Sequence, residues 1–318
     1  MTKKLVIIIP CLNEEKTLPL VFNSIPKKII GIDSIETLII DDGSTDKTIE
    51  VAKKIGVTYI VKNIRNKGLA KSFSIGLNKA LEVGADVIVN TDGDNQYPQE
   101  DIPKLIRPIL NNEAEIVIAD RQTNKIAHFS PIKKLLQKFG SNVVKKLADV
   151  NVPDAVSGFR AYSREAAMQL NVVTDFSYCT ETIIQAGKKK MKIVSIPVNT
   201  NPKTRESRLF KNMGQHIKKT GATIVRVFAM YEPLKTFTYL GSLFLIIGSF
   251  FFLRFFYFIL IGKGSGHLQS IIFGAVMFLS GFQIIVLGLI ADLIAANRKM
   301  IEEILLNQKK EKYDSKKR

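Results

Sequence analysis

Val87-Ile88-Val89-Asn90-Thr91-Asp92-Gly93-Asp94-Asn95-Gln96 takes a short β-branched run directly into a loop with carboxylates at alternate positions. Two carboxylates at i and i+2 on such a loop suit one hard cation, and Mg²⁺ or Mn²⁺ held this way also binds phosphate oxygens. Alone, Asp-x-Asp is as common in solvated turns, so its setting decides the reading. Leu5–Ile9, Thr37–Ile40 and Thr58–Val61 precede the Val87–Val89 run and Ile116–Ile118 follows it, each continuously apolar. Helical stretches fit between them at Glu15–Ile25, Lys47–Ile55, Leu69–Leu81 and Asp101–Leu110. Continuous apolar strands alternating with amphipathic helices predict an α/β domain with a mostly parallel sheet covered on both faces. Polar loops follow the first, second and fourth strands, where open α/β sheets place ligands.

Two further loops carry candidate chemistry. Asp41-Asp42-Gly43-Ser44-Thr45-Asp46 offers paired carboxylates to the N–H of a base and a ribose hydroxyl. Ser44, Thr45 or Asp46 also serves as a helix cap, and the two readings are compatible. In Pro10-Cys11-Leu12-Asn13-Glu14-Glu15, Pro10 ends the first strand and Glu14 is placed to face a nucleotide. Residues 121–200 are less regular. Pro131–Val150 reads as a basic amphipathic helix, on the domain surface or against an anionic membrane. Cys11 and Cys179 show no metal or redox spacing, which predicts reduced thiols.

The charge of +17 over 318 residues is uneven, with net +6 up to residue 200 and +11 beyond it. The later part also holds two long apolar segments, about 237–261 with Arg254 as its only charge and 268–291 with none. A 24-residue helix rises about 36 Å against a hydrocarbon core of about 30 Å. The segments predict a transmembrane hairpin closed by Gly262–Ser270. Eight Lys or Arg precede it from Lys203 to Lys235 and eight follow it from Arg298 to Arg318, against Lys263 alone between the spans. The positive-inside rule then places both flanks in the cytoplasm. Arg254 is expected to snorkel, with a contact to Asp292 or a lipid phosphate as the sharper alternative. The organisation expected is a catalytic domain over 1–200, a basic juxtamembrane segment over 201–235, two spans within 236–297 and a basic cytoplasmic tail over 298–318. Met300–Lys312 is expected as an amphipathic helix on the membrane or an oligomer contact. Lys-rich segments that flank apolar spans and lack interleaved aromatics argue against nucleic acid as a partner.

Five motifs agree in order and spacing with one family: Pro10-x-x-Asn13-Glu14-Glu15, Asp41-Asp42-Gly43-Ser44-x-Asp46-x-Thr48, Asn66-x-Gly68, Asp92-x-Asp94-x-Gln96 and Ser157-Gly158-Phe159-Arg160. Over residues 4–235 the chain resembles family 2 glycosyltransferases of the GT-A fold. Within them it is similar to the polyprenyl-phosphate glycosyltransferases, the dolichyl-phosphate mannose synthase-like enzymes with a C-terminal pair of membrane helices. Tyr231-Glu232-Pro233-Leu234-Lys235 is typical of that group. The resemblance implies inverting transfer of one hexose from a nucleotide diphosphate sugar to a polyprenyl phosphate, dolichyl or undecaprenyl. It implies that Asp92 and Asp94, with Gln96 nearby, hold Mg²⁺ or Mn²⁺, and that Pro10, Glu14, Asp41, Asp42, Asp92, Gly93 and Asp94 line the nucleotide-sugar pocket. Arg121, Lys134, Arg205 and Arg208 then meet acceptor or diphosphate oxygens, with Asp94, Arg121 and Arg205 nearest the chemistry. Lys134 stands where such enzymes often carry Arg, and Lys203-Thr204-Arg205-Glu206-Ser207-Arg208 lacks the family's Gly. Glu181 lies where the wider family keeps a base. A chain without Trp cannot contain the Gln-x-x-Arg-Trp motif of processive synthases, which favours single transfer. The alternatives are a hydroxyl acceptor on a lipid-linked oligosaccharide or glycolipid, and a catalytically silent membrane scaffold. A homo-oligomer and the identity of the donor are left open.

Overall fold

The computed structural model describes residues 3–122, 140–145, 148–173, 178–202, 221–222, 225–226 and 229–315. The chain divides into two compact units, Met1–Ile224 with Leu306–Arg318, and Val225–Leu305.

Among the described residues of the first unit seven strands form one sheet: β1 (Lys4–Cys11), β2 (Ser34–Asp41), β3 (Tyr59–Lys62), β4 (Val87–Asn90), β5 (Ile116–Asp120), β6 (Arg160–Ser163) and β7 (Ile193–Pro197). Their spatial order is β3-β2-β1-β4-β6-β5-β7. β6 alone runs antiparallel, paired with both β4 and β5. The first five strands fall where the sequence predicts them; β3 is shifted by one residue and the other four are extended by one to three residues at one or both ends. The helices between them, α1 (Leu18–Ser24), α2 (Thr48–Lys54), α3 (Leu69–Glu82) and α4 (Ile102–Leu110), also match the prediction. β1 shows why its run is continuously apolar. Leu5, Ile7 and Ile9 join a core with Leu18, Val21, Leu105 and Ile106 from α1 and α4. On the opposite face Gly76 of α3 lies so close that a Cβ there would sit 2.5 Å from Ile8. A strand buried on both faces has no polar side to alternate with.

Within the region read as irregular lie β6, β7 and two helices, α5 (Arg164–Gln169) and α6 (Tyr178–Lys188). α5 starts from a Ser163 cap whose hydroxyl accepts from the Ala166 N–H. Of the helix expected over Pro131–Val150, residues 140–145 and 148 are helical, and the remainder up to 139 and at 146–147 lies outside the described residues. The register places the functional loops at one end of the sheet. Cys11 pairs with Asp41, Ile8 with Asn90, and Asn90 with Arg160.

The second unit contains α7 (Pro233–Leu260) and most of α8, which runs unbroken from Leu268 to Asp314. Both are long and apolar enough to cross a membrane. The two helices meet through glycines. A Cβ on Gly241 would lie 2.7 Å from the Gly281 carbonyl, and one on Gly248 would lie 2.9 Å from that of Gly274. Such close backbone approach is how helices associate where burial from water offers no drive. Leu243, Ile246, Phe250, Leu253, Ile272 and Leu279 point outward and are exposed. Arg254 donates to Ser270 Oγ at 2.7 Å, a partner the sequence reading did not name. In Tyr231-Glu232-Pro233-Leu234-Lys235, Pro233 opens α7, Lys235 pairs with Glu232 at 3.0 Å, and Arg298 lies 3.8 Å over the Tyr231 ring. At about 1.5 Å per residue, the 47 residues of α8 rise about 70 Å, far more than one span needs.

Candidate active site

The loops after β1 and β2 are stitched together by Asn13, whose φ of 57° lies in the left-handed region that Asn tolerates. Its Oδ1 accepts from the Thr45 N–H at 2.8 Å and the Asp46 N–H at 3.4 Å, while its own N–H donates to Ser44 Oγ. The Glu14 N–H donates to Thr48 Oγ1, and its Oε2 accepts from Thr17 Oγ1 at 2.7 Å. Asp41 is wholly buried at the end of β2 and accepts from the Ser44 N–H. Asp42 has a different occupation from its neighbour. It accepts from Asn63 Nδ2 and the Lys67 N–H on one oxygen and from the Gly68 N–H on the other, each at 2.9 Å. Asp42 thus anchors the Asn66-x-Gly68 turn that leads into α3.

The loop after β4 packs directly on the Pro10–Glu14 loop. A Cβ on Gly93 would come within 3.1 Å of Cys11 Sγ and 3.2 Å of Glu14 Cγ, so glycine is what lets the two loops meet. The Asp94 carboxylate accepts from the Gln96 backbone N–H at 3.2 Å and from Gln96 Nε2 at 3.0 Å. Gln96, expected near the cation, therefore orients the second carboxylate. Asn201 fixes the far side of the same loop, donating to the carbonyls of Asn95 and Gln96. Pro10, Glu14, Asp41, Asp42, Gly93 and Asp94 are thus brought to one end of the sheet. Among the described residues no third His, Cys, Asp or Glu completes a closed metal cage with them. Two carboxylates with no further protein ligand among those residues suit an Mg²⁺ or Mn²⁺ that takes its remaining oxygens from a diphosphate and water.

Asp92 has a cradle that sequence reasoning missed. Asn90, the last residue of β4, donates from Nδ2 to the Tyr178 hydroxyl at 2.8 Å and the Gly158 carbonyl at 2.9 Å. The Tyr178 ring stacks on Phe73, centroids 3.9 Å apart. The Gly158 N–H donates to the Tyr97 hydroxyl at 3.0 Å. A Cβ on Gly158 would lie 3.1–3.2 Å from both Asp92 carboxylate oxygens and 3.1 Å from the Tyr178 hydroxyl. Gly158→Ala is therefore expected to displace the Asp92 carboxylate and cut turnover by about 10- to 100-fold with the fold retained, since small misplacements at a reacting centre are costly. Steady-state kinetics beside a thermal melt checks this. Burial pushes the Tyr97 phenol up, with the Arg121 charge opposing it. Burial is also the main cause that pushes the Cys11 and Cys179 thiols up, which keeps them protonated and inert.

Arg121 follows β5 and is held by a residue the sequence did not announce. Its Nε and one terminal nitrogen fork onto the Asp154 carboxylate at 2.6 and 3.0 Å, with side chains 16% and 2% exposed. Burial works against both charges, yet their mutual attraction holds the Arg121 pKa above and the Asp154 pKa below the ordinary values. A depressed carboxylate contributes stability that is complete above its unfolded value, about 4, and lost as pH falls through the folded value. Acid unfolding of Asp154→Asn should accordingly be less steep below pH 4, while the wild-type pair contributes constantly between pH 5 and 8. Lys134, Arg205 and Arg208 lie outside the described residues. Glu181 is buried on α6, and its Oε1 accepts from the Val173 N–H at 2.9 Å and Gln185 Nε2 at 3.1 Å.

Arg160, like Asp41, has no exposed surface. It donates to the carbonyls of Ser157, Cys179 and Ala155 and to Thr182 Oγ1 at 2.7–2.9 Å. It therefore ties the Ser157-Gly158 turn and α6 to β6 by hydrogen bonds from one side chain.

The model of glycosyl transferase family 2 matches residues 6–170, more than half of the chain. The UDP-N-acetylglucosamine–dolichyl-phosphate N-acetylglucosaminyltransferase of Methanococcus voltae is 33% identical over 222 residues, covering 63% of this chain and 87% of that protein. The dolichol-phosphate mannosyltransferase of Pyrococcus furiosus is 34% identical over 218 residues, 65% of this chain and 59% of that one. Among solved structures, glucosyl-3-phosphoglycerate synthase from Mycobacterium tuberculosis with Mn²⁺, UDP-glucose and phosphoglyceric acid superposes with a TM-score of 0.57 at 21% identity. That match covers 71% of this chain and 80% of that one. It shows the fold.

Proposed function

The chain belongs to glycosyl transferase family 2, and on that premise we propose that it transfers a single sugar, with inversion, from a nucleotide diphosphate sugar to a polyprenyl phosphate at the cytoplasmic face of a membrane. The observation that carries this reading is that relatives at 33–34% identity are named for transfer onto dolichyl phosphate or dolichol phosphate. α7 and α8 would anchor the chain beside its lipid acceptor, with the basic flanks of the hairpin on the catalytic side.

The proposed acceptor explains the residues found. A sugar hydroxyl needs a base to take its proton, whereas a phosphate monoester with a second pKa near 6 is mostly dianionic at neutral pH. Its oxygen attacks the anomeric carbon, the bond to the diphosphate breaks, and the electron pair leaves on the nucleoside diphosphate. No proton has to be removed. Glu181, engaged with Val173 and Gln185, is then not required as a base. Asp92 and Asp94 would hold a divalent cation, which when bound neutralises charge growing on the leaving diphosphate. Glu14 and Asp41 would face the nucleotide, with Asp42 shaping the same pocket through its turn. Arg121, kept charged and fixed by Asp154, would meet the incoming phosphate together with Lys134, Arg205 and Arg208.

The test is a choice of acceptor. Purified full-length protein receives labelled nucleotide sugar with polyprenyl phosphate, the matching polyprenol, or a glycolipid. Label on the phosphate alone supports the reading; label confined to a hydroxyl acceptor replaces it.

A further inference from the structure

The strongest interactions that the proposed chemistry leaves unused gather at the far end of α8. Leu306–Asp314 belongs to the first unit, not to the hairpin. Tyr313 is buried there. The Arg164 guanidinium, also buried, donates to the Ala85 carbonyl at 3.0 Å, the Tyr313 carbonyl at 3.1 Å and Asp314 Oδ1 at 3.0 Å. Lys309 Nζ donates to the carbonyls of Met168 and Leu170 at 3.1 and 3.2 Å and to Asn171 Oδ1 at 2.8 Å. Lys189 Nζ donates to the Gln169 carbonyl at 2.6 Å. Two amines, one on α8 and one in the turn just past α6, thus close the C-terminal carbonyls of α5, where positive charge is favoured. Burial first, and the Lys189 charge second, hold the Lys309 pKa down at about 8. The three acceptors offset the cost of placing the amine there.

The contacts continue toward the site without a gap. The Asn171 N–H donates to Gln185 Oε1, its carbonyl accepts from Gln185 Nε2 at 2.5 Å, and the Val173 N–H donates to Glu181 Oε1. Gln185 and Glu181 sit on α6. The first residue of that helix is Tyr178, whose hydroxyl meets Asn90 at the strand end that leads to Asp92. We infer that the C-terminal segment is a working part of the catalytic unit, and that Lys309 is a positioning residue that holds α6 and its Tyr178 against the Asp92 loop. Glu181 belongs to the same bracket. The inference uses the proposed transfer only for its kinetic readout.

Hydrogen exchange on the full chain in detergent, comparing wild type with Lys309→Met, tests it. Protection of Val173 and of Tyr178–Thr182 should fall about tenfold, while Leu5–Ile9 of β1 keeps its protection. The kcat of transfer to whichever acceptor becomes labelled should fall about tenfold with donor KM within twofold, and Lys309→Arg should restore much of both. If Lys309→Met loses protection throughout, Asp314→Ala, which removes only a half-exposed carboxylate, gives the same exchange readout. Unchanged protection at Val173 and Tyr178–Thr182 in the folded variant overturns the inference. If wild type labels no polyprenyl phosphate while the exchange pattern responds as stated, the acceptor reading falls and this inference stands.

Discussion

Asp94→Ala is expected to lower sugar transfer by about 10³-fold, and Asp92→Ala by a similar factor, because each removes part of the charge that would hold the cation on a departing diphosphate. The two effects should be far from additive, since either loss disables the same unit. Mn²⁺ binding followed by electron paramagnetic resonance should weaken in parallel with activity, while the fold persists because both residues lie on a loop. Gln96→Ala should have a smaller effect, about tenfold, since its two hydrogen bonds aim the Asp94 carboxylate and do not replace it. Normal turnover in the Asp92→Ala, Asp94→Ala double variant would remove the metal assignment altogether.

Arg160→Met should instead strike the fold. Three backbone carbonyls and one hydroxyl would lose their donor at a fully buried position. Unsatisfied buried groups cost about 1–3 kcal/mol each, and partial relaxation brings the sum to about 3–5 kcal/mol. For a unit of this size that is a fall of about 10 °C or more in Tm. Arg160→Lys should recover little, because one ammonium cannot reproduce a planar fork reaching four acceptors on different segments. Thermal melts of full-length protein, read by near-ultraviolet circular dichroism, measure both variants.

What could be read in advance follows a physical line. β1, β2, β4 and β5 were legible because most of their residues are buried, and burial writes itself as an unbroken apolar run; β3, a half-buried edge strand, carries a shorter run of the same kind, Tyr59-Ile60-Val61. The loops at their ends were legible because a carboxylate pair or an Asn-Glu-Glu stands out beside such a run. β6 was not, because Arg160-Ala161-Tyr162-Ser163 has neither an apolar run nor an alternation, and an Arg buried among carbonyls looks in sequence like a surface residue. Asp154 and Tyr178 were hidden for another reason. Their roles come from residues 33 and 88 positions away, Arg121 and Asn90, which only the register of β4, β5 and β6 brings near. One signal was available: Asn90, polar at the end of an apolar strand and two residues before Asp92, marks a buried hydrogen-bonding post. Asp41 and Asp42 look like an equal pair in sequence, and only the direction of each side chain separates them, Asp41 accepting from the Ser44 N–H within its own loop and Asp42 from the Asn66-x-Gly68 turn and Asn63.

The extent of α8 carries a similar lesson. Composition marks where apolar residues end, near Ala291, but a helix stops only where capping or breaking residues stop it, and none intervenes before Asp314. The tail, in which Met300–Lys312 is expected as an amphipathic helix on the membrane or at an oligomer contact, is helical as an unbroken continuation of the second apolar segment, and its final turns belong to the catalytic unit.

Transfer of one sugar to one lipid phosphate leaves its signature in the mass of the product. Full-length protein with Mn²⁺ and polyprenyl phosphate is offered UDP-N-acetylglucosamine, UDP-glucose and GDP-mannose in turn, and the lipid is weighed by mass spectrometry. One donor should raise the mass of the lipid phosphate by a single sugar residue, with no second increment on longer incubation. A ladder of increments, or a lipid phosphate left unchanged while a hydroxyl-bearing lipid gains the sugar, would contradict it.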